Sequence, residues 1–268
     1  MAIPPRPGAD IEPLNRAVIS LDSDVFAFQE VDHFLPRSQS RPQMRDIAEG
    51  VGARDWAMAP SVIGTPGESW RKLNSSEPEI ISSASTHSEL MHESYGIGIV
   101  SKIPVISWHR LNLGNSPLGL PLVVPGDETG KGRPRFIYVK DEPRLALAAV
   151  LENGFTVVNT HLSFVPGFNL AQLRRVKKWA IEIAESTGTR PIVLGDLNLP
   201  KNLPVAASRF AKSPWKSLVT QNTYPSWGGK IQFDYILTPD LSFGEYSVRE
   251  FAPTGVSDHL PIGIEIFQ

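Results

Sequence analysis

Short apolar runs broken by glycine, proline, asparagine and aspartate recur along almost the whole chain. That punctuation leaves room for little besides a strand-rich α/β fold. "VFAFQEV", "DWAMAPSV", "YGIGIVSK", "PVISWHRLNL", "RFIYVK" and "RLALAAVLE" each read as a strand, as do "FTVVNTHL", "PIVLGDLN", "IQFDYILT", "YSVREFAP" and "LPIGIEIFQ". Asn153-Gly154 separates two of these runs, and Asn-Gly between apolar runs is a strong hairpin signal. Helical spacing is confined to a few places. Ile11, Leu14, Val18 and Leu21 recur every three to four residues in "ADIEPLNRAVISLDSD", and "SQSRPQMRDIAEGVG" is a helix stopped by glycine. The longest helix is "GFNLAQLRRVKKWAIEIAEST", with Leu170, Leu173, Val176, Ile181 and Ala184 on its apolar side, and a short one lies near "PVAASRFA". The polar stretch 63–94 and the glycine- and proline-rich stretch 112–134 read as long surface loops. No linker divides two cores, so residues 1–268 are read as one domain.

Composition narrows the function classes. Hydrophobic residues make up 41% and charged residues 20% of the 268, as in a globular protein. The formal net charge of −2 supplies no global field for gripping nucleic acid, so any polyanion contact must be local. There is no cysteine, which removes disulfides and thiolate metal sites. "MAIPPRPGAD" lacks an apolar leader core and no apolar run reaches membrane-spanning length. The expectation is a soluble, cytoplasmic protein without stable membrane insertion.

The polar residues that interrupt or close the apolar runs are the informative ones. Glu30 closes "VFAFQE", His161 closes "VVNTH", and Asp196 and Asn198 close "IVLGDLN". Asp234 interrupts "IQFDYIL", and Asp258-His259 precedes the last strand. Residues just past strand ends of an α/β sheet gather on one rim. Asp196 and Asn198 are two apart, so in extended chain they point the same way. Taken singly, Asp-X-Asn after a strand is most often a turn or a helix cap. Taken together, unpaired carboxylates on one rim repel by roughly 4 kcal/mol per close pair at moderate effective dielectric. Such a cluster calls for a cation, and oxygen donors without sulfur suit Mg²⁺ or Mn²⁺. Mg²⁺ usually shares its ligands with substrate phosphate, so a phosphoester is the natural substrate.

"FAFQEVD", "YGIGIVSKIPV", "VVNTHLS", "IVLGDLNLP", "IQFDYILTP" and "VSDHLPI" follow one another in the order and approximate spacing of the endonuclease/exonuclease/phosphatase family. From about Asp10 to the C-terminus the chain resembles this DNase I-like group. The resemblance implies a four-layer α/β sandwich, two packed mixed sheets flanked by helices. It implies that Glu30 ligates the metal and that Asp258 lies beside it. Asp196 would orient or deprotonate the attacking water, Asn198 would hydrogen-bond a phosphate oxygen, and His161 would contact the phosphate. His259 would act as acid, base or transition-state stabiliser with Asp234 as its carboxylate partner. Arg144 matches a position where relatives often carry a basic residue near the site.

The expected activity is Mg²⁺-dependent phosphodiester hydrolysis of nuclease type. A small-molecule or phospholipid phosphoesterase is the alternative, and a catalytically impaired binding module on the same fold is the other. A serine hydrolase using Ser257, Asp258 and His259 fails, because consecutive residues cannot form a triad and no G-x-S-x-G elbow exists. Lys131, Arg133, Arg135, Lys140 and Arg144 are placed to line a phosphate groove. Arg174, Arg175, Lys177 and Lys178 read as a solvated helix face. Tyr224 and Trp227 suit either ring stacking or edge packing, and His33, His87, His92 and His109 read as solvated or structural.

The chain departs from the family pattern at its start. Relatives usually open with a strand bearing an asparagine near the metal, whereas only proline-rich "MAIPPRPGAD" precedes the first helix here, and Asn15 falls inside that helix. Metal affinity is therefore expected to be weak relative to a complete relative. Calorimetric Mg²⁺ titration should return shallow binding, and tight binding would overturn the expectation.

Overall fold

The computed structural model describes residues 12–86, 91, 93–124, 135–200, 203–210 and 213–267. In chain order the elements are α1 (Glu12–Ser20), β1 (Val25–His33), α2 (Gln43–Val51), β2 (Asp55–Thr65), β3 (Ser69–Arg71), β4 (Ile81–Ser82), β5 (Ser94–Ser101), β6 (Val105–Gly114), β7 (Leu120–Val124) and β8 (Arg135–Val139). They continue with β9 (Arg144–Leu151), β10 (Phe155–His161), α3 (Phe168–Thr187), β11 (Arg190–Asp196), α4 (Leu203–Phe210), β12 (Lys216–Ser217), β13 (Asp234–Thr238), β14 (Tyr246–Arg249) and β15 (Gly263–Ile266).

Two sheets carry the fold. One has the order β1-β5-β2-β3, with β4 also on β2, and is antiparallel throughout among the described residues. The other has the order β12-β13-β11-β10-β9-β6, with β10 and β11 its one parallel pair. The Asn153-Gly154 signal is met by the β9–β10 hairpin.

Side-chain alternation builds the layers. On β9, Leu145, Leu147, Ala149 and Leu151 enter the core between the sheets, with Ile97 and Ile99 from β5 and Ala57 and Ala59 from β2. The intervening Ala146, Ala148 and Val150 face Leu173, Val176 and Ala180 of α3. On the other side, Trp56, Met58 and Val100 pack against Val18 of α1 and Met44 and Ile47 of α2. Helices, sheet, sheet and helix therefore form four layers, as the family resemblance implied. α2 and α3 both stop at a left-handed glycine, Gly52 and Gly188.

The two stretches read as loops contain more order than their composition suggests. Among the described residues of 63–94 are β3 and β4 on the edge of the first sheet, and those of 112–134 include β7, which pairs with β8 as a two-stranded ribbon. His33 is fully buried with its ring edge-on to Phe34, and His109 Nε2 lies 2.9 Å from Ser107 Oγ, both structural positions. His87, His92, Lys131 and Arg133 lie outside the described residues, and so does the side chain of Arg135. Among the described residues no helix is long and apolar enough to cross a membrane.

Candidate active site

Strand register brings three of the expected residues into one row. His161 ends β10, Asp196 ends β11 and Asp234 begins β13. His161 is the register partner of Asp196, and Asp196 is the partner of Asp234. Neighbouring strands lie about 4.8 Å apart, so the row is compact. Parity sends all three side chains the same way. Val157 shares the His161 face of β10, Ile192 and Leu194 share the Asp196 face of β11, and Ile236 shares the Asp234 face of β13. All of these pack in or against the core between the sheets. The row is thus the polar end of an apolar face.

"GDLN" makes this end sharp. Gly195 has φ +129°, and a Cβ there would collide with the carbonyl oxygen of Thr160, so no other residue fits. Asn198 turns the chain with φ +49°, and its backbone N–H donates to Asp196 Oδ1 at 2.8 Å. Asn198 Nδ2 donates to the Leu162 carbonyl at 2.9 Å, which ties the loop after β11 to the loop after β10.

His259 arrives from the segment before β15. Its Nδ1 lies 2.7 Å from Asp234 Oδ2, and the rings of Tyr224 and Phe233 flank the imidazole at 5.1 and 6.4 Å between centroids. Burial works to lower its pKa, but the hydrogen bond and charge of Asp234, with help from Asp196, raise it to about 9. His161 behaves oppositely. Burial, then the positive charge of Arg144, hold it well below the usual value, so it stays neutral at pH 7. Its Nε2 lies 3.7 Å from Asp196 Oδ2. Burial, followed by the nearby charge of Asp234, pushes Asp196 up to about 7, against His259 and the Asn198 amide; Glu30 adds a smaller upward push.

Glu30 comes from the opposite sheet. The β1–β5 register slips between Phe28 and Val31, a bulge, and Glu30 sits in it with φ +58°. It lines the same cavity as His161, Asp196, Asp234 and His259. What anchors this bulge is Asn159, which sequence reading passed over. Asn159 is fully buried, donates from Nδ2 to the carbonyls of Phe28 and Gly98 at 2.8 Å each, and accepts from Gln29 Nε2 at 2.7 Å. The signal was present: an amide two residues before His161, on the same side of an otherwise apolar strand.

Two expected residues are placed differently from the rest. Arg144 is 5% exposed and directs Nε and Nη2 to Asp141 Oδ1 at 3.3 and 3.4 Å. It acts on the site as a buried charge behind His161. Asp258 does not line the cavity; its carbonyl accepts from Ser226 N at 2.7 Å, and its charge adds to burial in raising the Tyr224 phenol. Glu142, also unforeseen, is half-buried with a buried Oε2 that lacks a hydrogen-bond partner, and its carboxyl is raised by burial against the pull of Arg144.

The donor set fits a hard divalent cation. Oxygens predominate, and Glu30 and Asp234 both push Asp196 upward, a mutual repulsion that a cation would relieve. One ligand atom from each of Asp196, Asp234 and His259 lies within 4.8 Å of the others. The His259–Asp234 hydrogen bond already occupies that pair, and Glu30 lines the same cavity as Asp196.

A model of the Endonuclease/Exonuclease/phosphatase family matches residues 6–259. No curated protein sequence matches significantly. Among solved structures, an endonuclease/exonuclease/phosphatase from Beutenbergia cavernae aligns with TM-score 0.59 at 17% identity, covering 98% of this chain and 67% of the other. A mannosyl-6-phosphatase from Bacteroides thetaiotaomicron aligns with TM-score 0.57 at 14% identity, covering 96% and 90%. The catalytic domain of human Nocturnin with bound sulfate anion aligns with TM-score 0.53 at 16% identity, covering 94% and 83%. At these identities the structural likeness speaks to the fold.

The Asp234–His259 pair gives a direct check. A histidine raised in the folded state stabilises the fold fully below its ordinary 6.5, and that gain is lost as pH rises through about 9. In metal-free protein, NMR titration should find His259 near 9, and Asp234→Asn should bring it down toward 6.5 or lower. An unchanged titration in Asp234→Asn would contradict the pairing.

Proposed function

Because this chain belongs to the endonuclease/exonuclease/phosphatase family, we propose that it hydrolyses phosphodiesters with a divalent cation, Mg²⁺ or Mn²⁺, and acts on nucleic acid. The observation that carries the reading is the in-register row His161–Asp196–Asp234, completed by His259 and faced by Glu30.

Glu30 and Asp196 would hold the cation, and Asp258, which does not line the cavity, would take no part in holding it. Bound there, it would neutralise charge on the phosphoryl oxygens and on the leaving oxygen. The remaining roles belong to the chain's own side chains. Asp196, raised toward neutrality, orients the attacking water and accepts its proton. His161 stays neutral and donates one ring N–H to a phosphate oxygen. His259, kept protonated by Asp234, donates to phosphoryl oxygen as charge develops. Asn198 offers the second hydrogen of its Nδ2 to another phosphate oxygen, the first being held by Leu162. Arg144 keeps His161 neutral and adds positive potential behind the phosphate.

Trp227 supports the nucleic-acid reading. It is 69% exposed beside Ser226, whose N–H and hydroxyl bind the carbonyls of Asp258 and Ser257. An exposed indole adjoining Ser226, which is tied to the segment leading into His259, could stack on a base. The burial of Arg144 and the net charge of −2 favour the second reading, a smaller phosphoester that needs no basic groove.

The test is hydrolysis of bis(p-nitrophenyl) phosphate with Mg²⁺ and with EDTA, followed by plasmid DNA, RNA, inositol phosphates and sphingomyelin. EDTA should abolish turnover and excess Mg²⁺ restore it. Asp196→Ala and His259→Ala should each lose about 10²–10⁴-fold. Activity should rise with pH through about 7, as Asp196 ionises, and fall through about 9, as His259 loses its proton. Added Mg²⁺ should shift the acid limb downward. Full activity in excess chelator, or an unimpaired Asp196→Ala enzyme, would sink the proposal. Ligand binding without turnover across the panel would favour an impaired binding module.

A further inference from the structure

Arg37 stands on a short turn after β1 and has no role in the chemistry described above. The turn is firmly held. Leu35 and Ser38 are buried, and the Ser38 N–H and hydroxyl both donate to the Leu35 carbonyl at 3.0 Å. Gln39 and Ser40 take left-handed backbone angles and bring the chain back, so that the Phe34 N–H donates to the Arg41 carbonyl at 3.0 Å.

Strand register places this turn at the rim of the site. Asp32 of β1 is the partner of Tyr95 of β5, so both side chains point to one face of the first sheet. Tyr95 shares that face with Ile97 and Ile99, which enter the core between the sheets. Tyr95 meets the second sheet at a cavity of about 10 Å³, lined also by Arg144 and His161. The Arg37 Cζ lies 5.5 Å from the centroid of the Tyr95 ring. That ring therefore stands between Arg37 and the His161 end of the row.

Arg37 is fixed in a way that leaves half of its fork open. Nε donates to Asp32 Oδ2 at 2.9 Å and Nη2 to Asp32 Oδ1 at 2.6 Å. A guanidinium has five N–H groups, and this side-on pair uses two of them. Both hydrogens of Nη1 and one of Nη2 are left over, and among the described residues Arg37 makes no other hydrogen bond. Asp32 is buried, whereas the Arg37 side chain is 32% exposed. Burial works against the Arg37 charge, the bond and charge of Asp32 outweigh it, and Glu30 adds to them, so the guanidinium lies within electrostatic reach of that carboxylate. Arg37 does not line the large cavity that holds Glu30 and Asp196. A pair made only to cover Asp32 is complete with the side-on bonds and has no use for an exposed, fixed end-on edge.

We propose that Arg37 binds a second phosphate of the substrate, next to the one that is cleaved and on the His161 side of the row. Resting on the phosphoester reading above, this role narrows the substrate to molecules with neighbouring phosphates, a nucleotide strand or a small bisphosphate. A phosphodiester whose other groups are neutral or cationic, such as sphingomyelin, gains nothing from it. The end-on edge of a guanidinium offers two parallel N–H bonds to two phosphate oxygens, a match that lysine cannot make. Asp32 and Tyr95 already restrict the side chain, so little freedom is lost on binding. Glu142 shares the neighbourhood, and burial, against Arg144, raises its carboxyl, which weakens its repulsion of an incoming anion.

The experiment compares substrates within one enzyme, so that folding and basal rate cancel. With Mg²⁺ present, kcat/KM is measured on thymidylyl-thymidine, bare and with a phosphate added at its 5′ or its 3′ end, and on an inositol monophosphate and its adjacent bisphosphate. In the wild-type chain one added phosphate should raise kcat/KM by about tenfold or more, through KM and not kcat. A gain in the thymidine series assigns the second phosphate to a strand, and a gain in the inositol series assigns it to a small bisphosphate. Arg37→Gln should bring the ratio to about one, and Arg37→Lys, which keeps the charge without the fork, should keep only part of it. No gain from any added phosphate, or a gain undiminished in Arg37→Gln or, if that variant does not fold, in Arg37→Lys, would overturn the proposal. Calorimetry separates this from a failure of the hydrolytic reading. Thymidine 3′,5′-bisphosphate should bind the wild-type chain about tenfold more tightly than thymidine 5′-monophosphate, and Arg37→Gln should bind the two equally. That preference without turnover of any substrate would sink the hydrolytic reading and leave the Arg37 site standing, whereas its absence would overturn the site.

Discussion

Asn159 is fully buried between the two sheets, and its amide donates to backbone carbonyls of two strands of the first sheet. Phe28 and Gly98 are register partners at the last regular step before β1 bulges. Asn159 Nδ2 takes both their carbonyls, and its oxygen receives the Gln29 amide. Without it, the carbonyls of Phe28 and Gly98 and the Gln29 amide lose a partner, at about 1–3 kcal/mol for the buried Gly98 carbonyl and less for the two half-buried groups. The bulge it anchors is the one that places Glu30 in the left-handed region. Asn159 stands two residues before His161 on the same face of β10, so a single strand fixes both the imidazole and the carboxylate on the facing sheet.

From that anchor the electrostatics follow. Burial would neutralise carboxylates crowded at a strand end, and each member of the row responds according to its neighbours. Asp234 has His259 and keeps it charged. His161 has Arg144 behind it and stays neutral. Asp196 has carboxylates around it and is pushed toward neutrality. Groups with such divergent tendencies within a few ångströms are the pattern expected where protons are moved. The same arrangement makes a divalent cation a stabilising occupant.

Much of this was legible in the sequence. The apolar runs locate the strands, the Asn-Gly hairpin is where it should be, and the polar strand ends His161, Asp196 and Asp234 are the row. Register was not legible, because the adjacency of those three depends on how β10, β11 and β13 slide against one another. Nor was the bulge at Glu30, since no glycine marks it. Arg144 reads as a cation lining a phosphate groove until its burial against Asp141 is known. β7 hides in a glycine- and proline-rich stretch because its pairing with β8 is a local ribbon without a core face. Asn159 was passed over for the opposite reason: it lies inside a run that scores as apolar, where one amide looks like noise.

The central claim is that residues from two separate sheets hold one cation. Crystals soaked in Mn²⁺ and measured at the manganese absorption edge test it most directly. The account predicts an anomalous peak within about 2.0–2.3 Å of carboxylate oxygens from both Glu30 and Asp196. A peak bound elsewhere, or a Glu30 carboxylate turned away from a peak at Asp196, would contradict it.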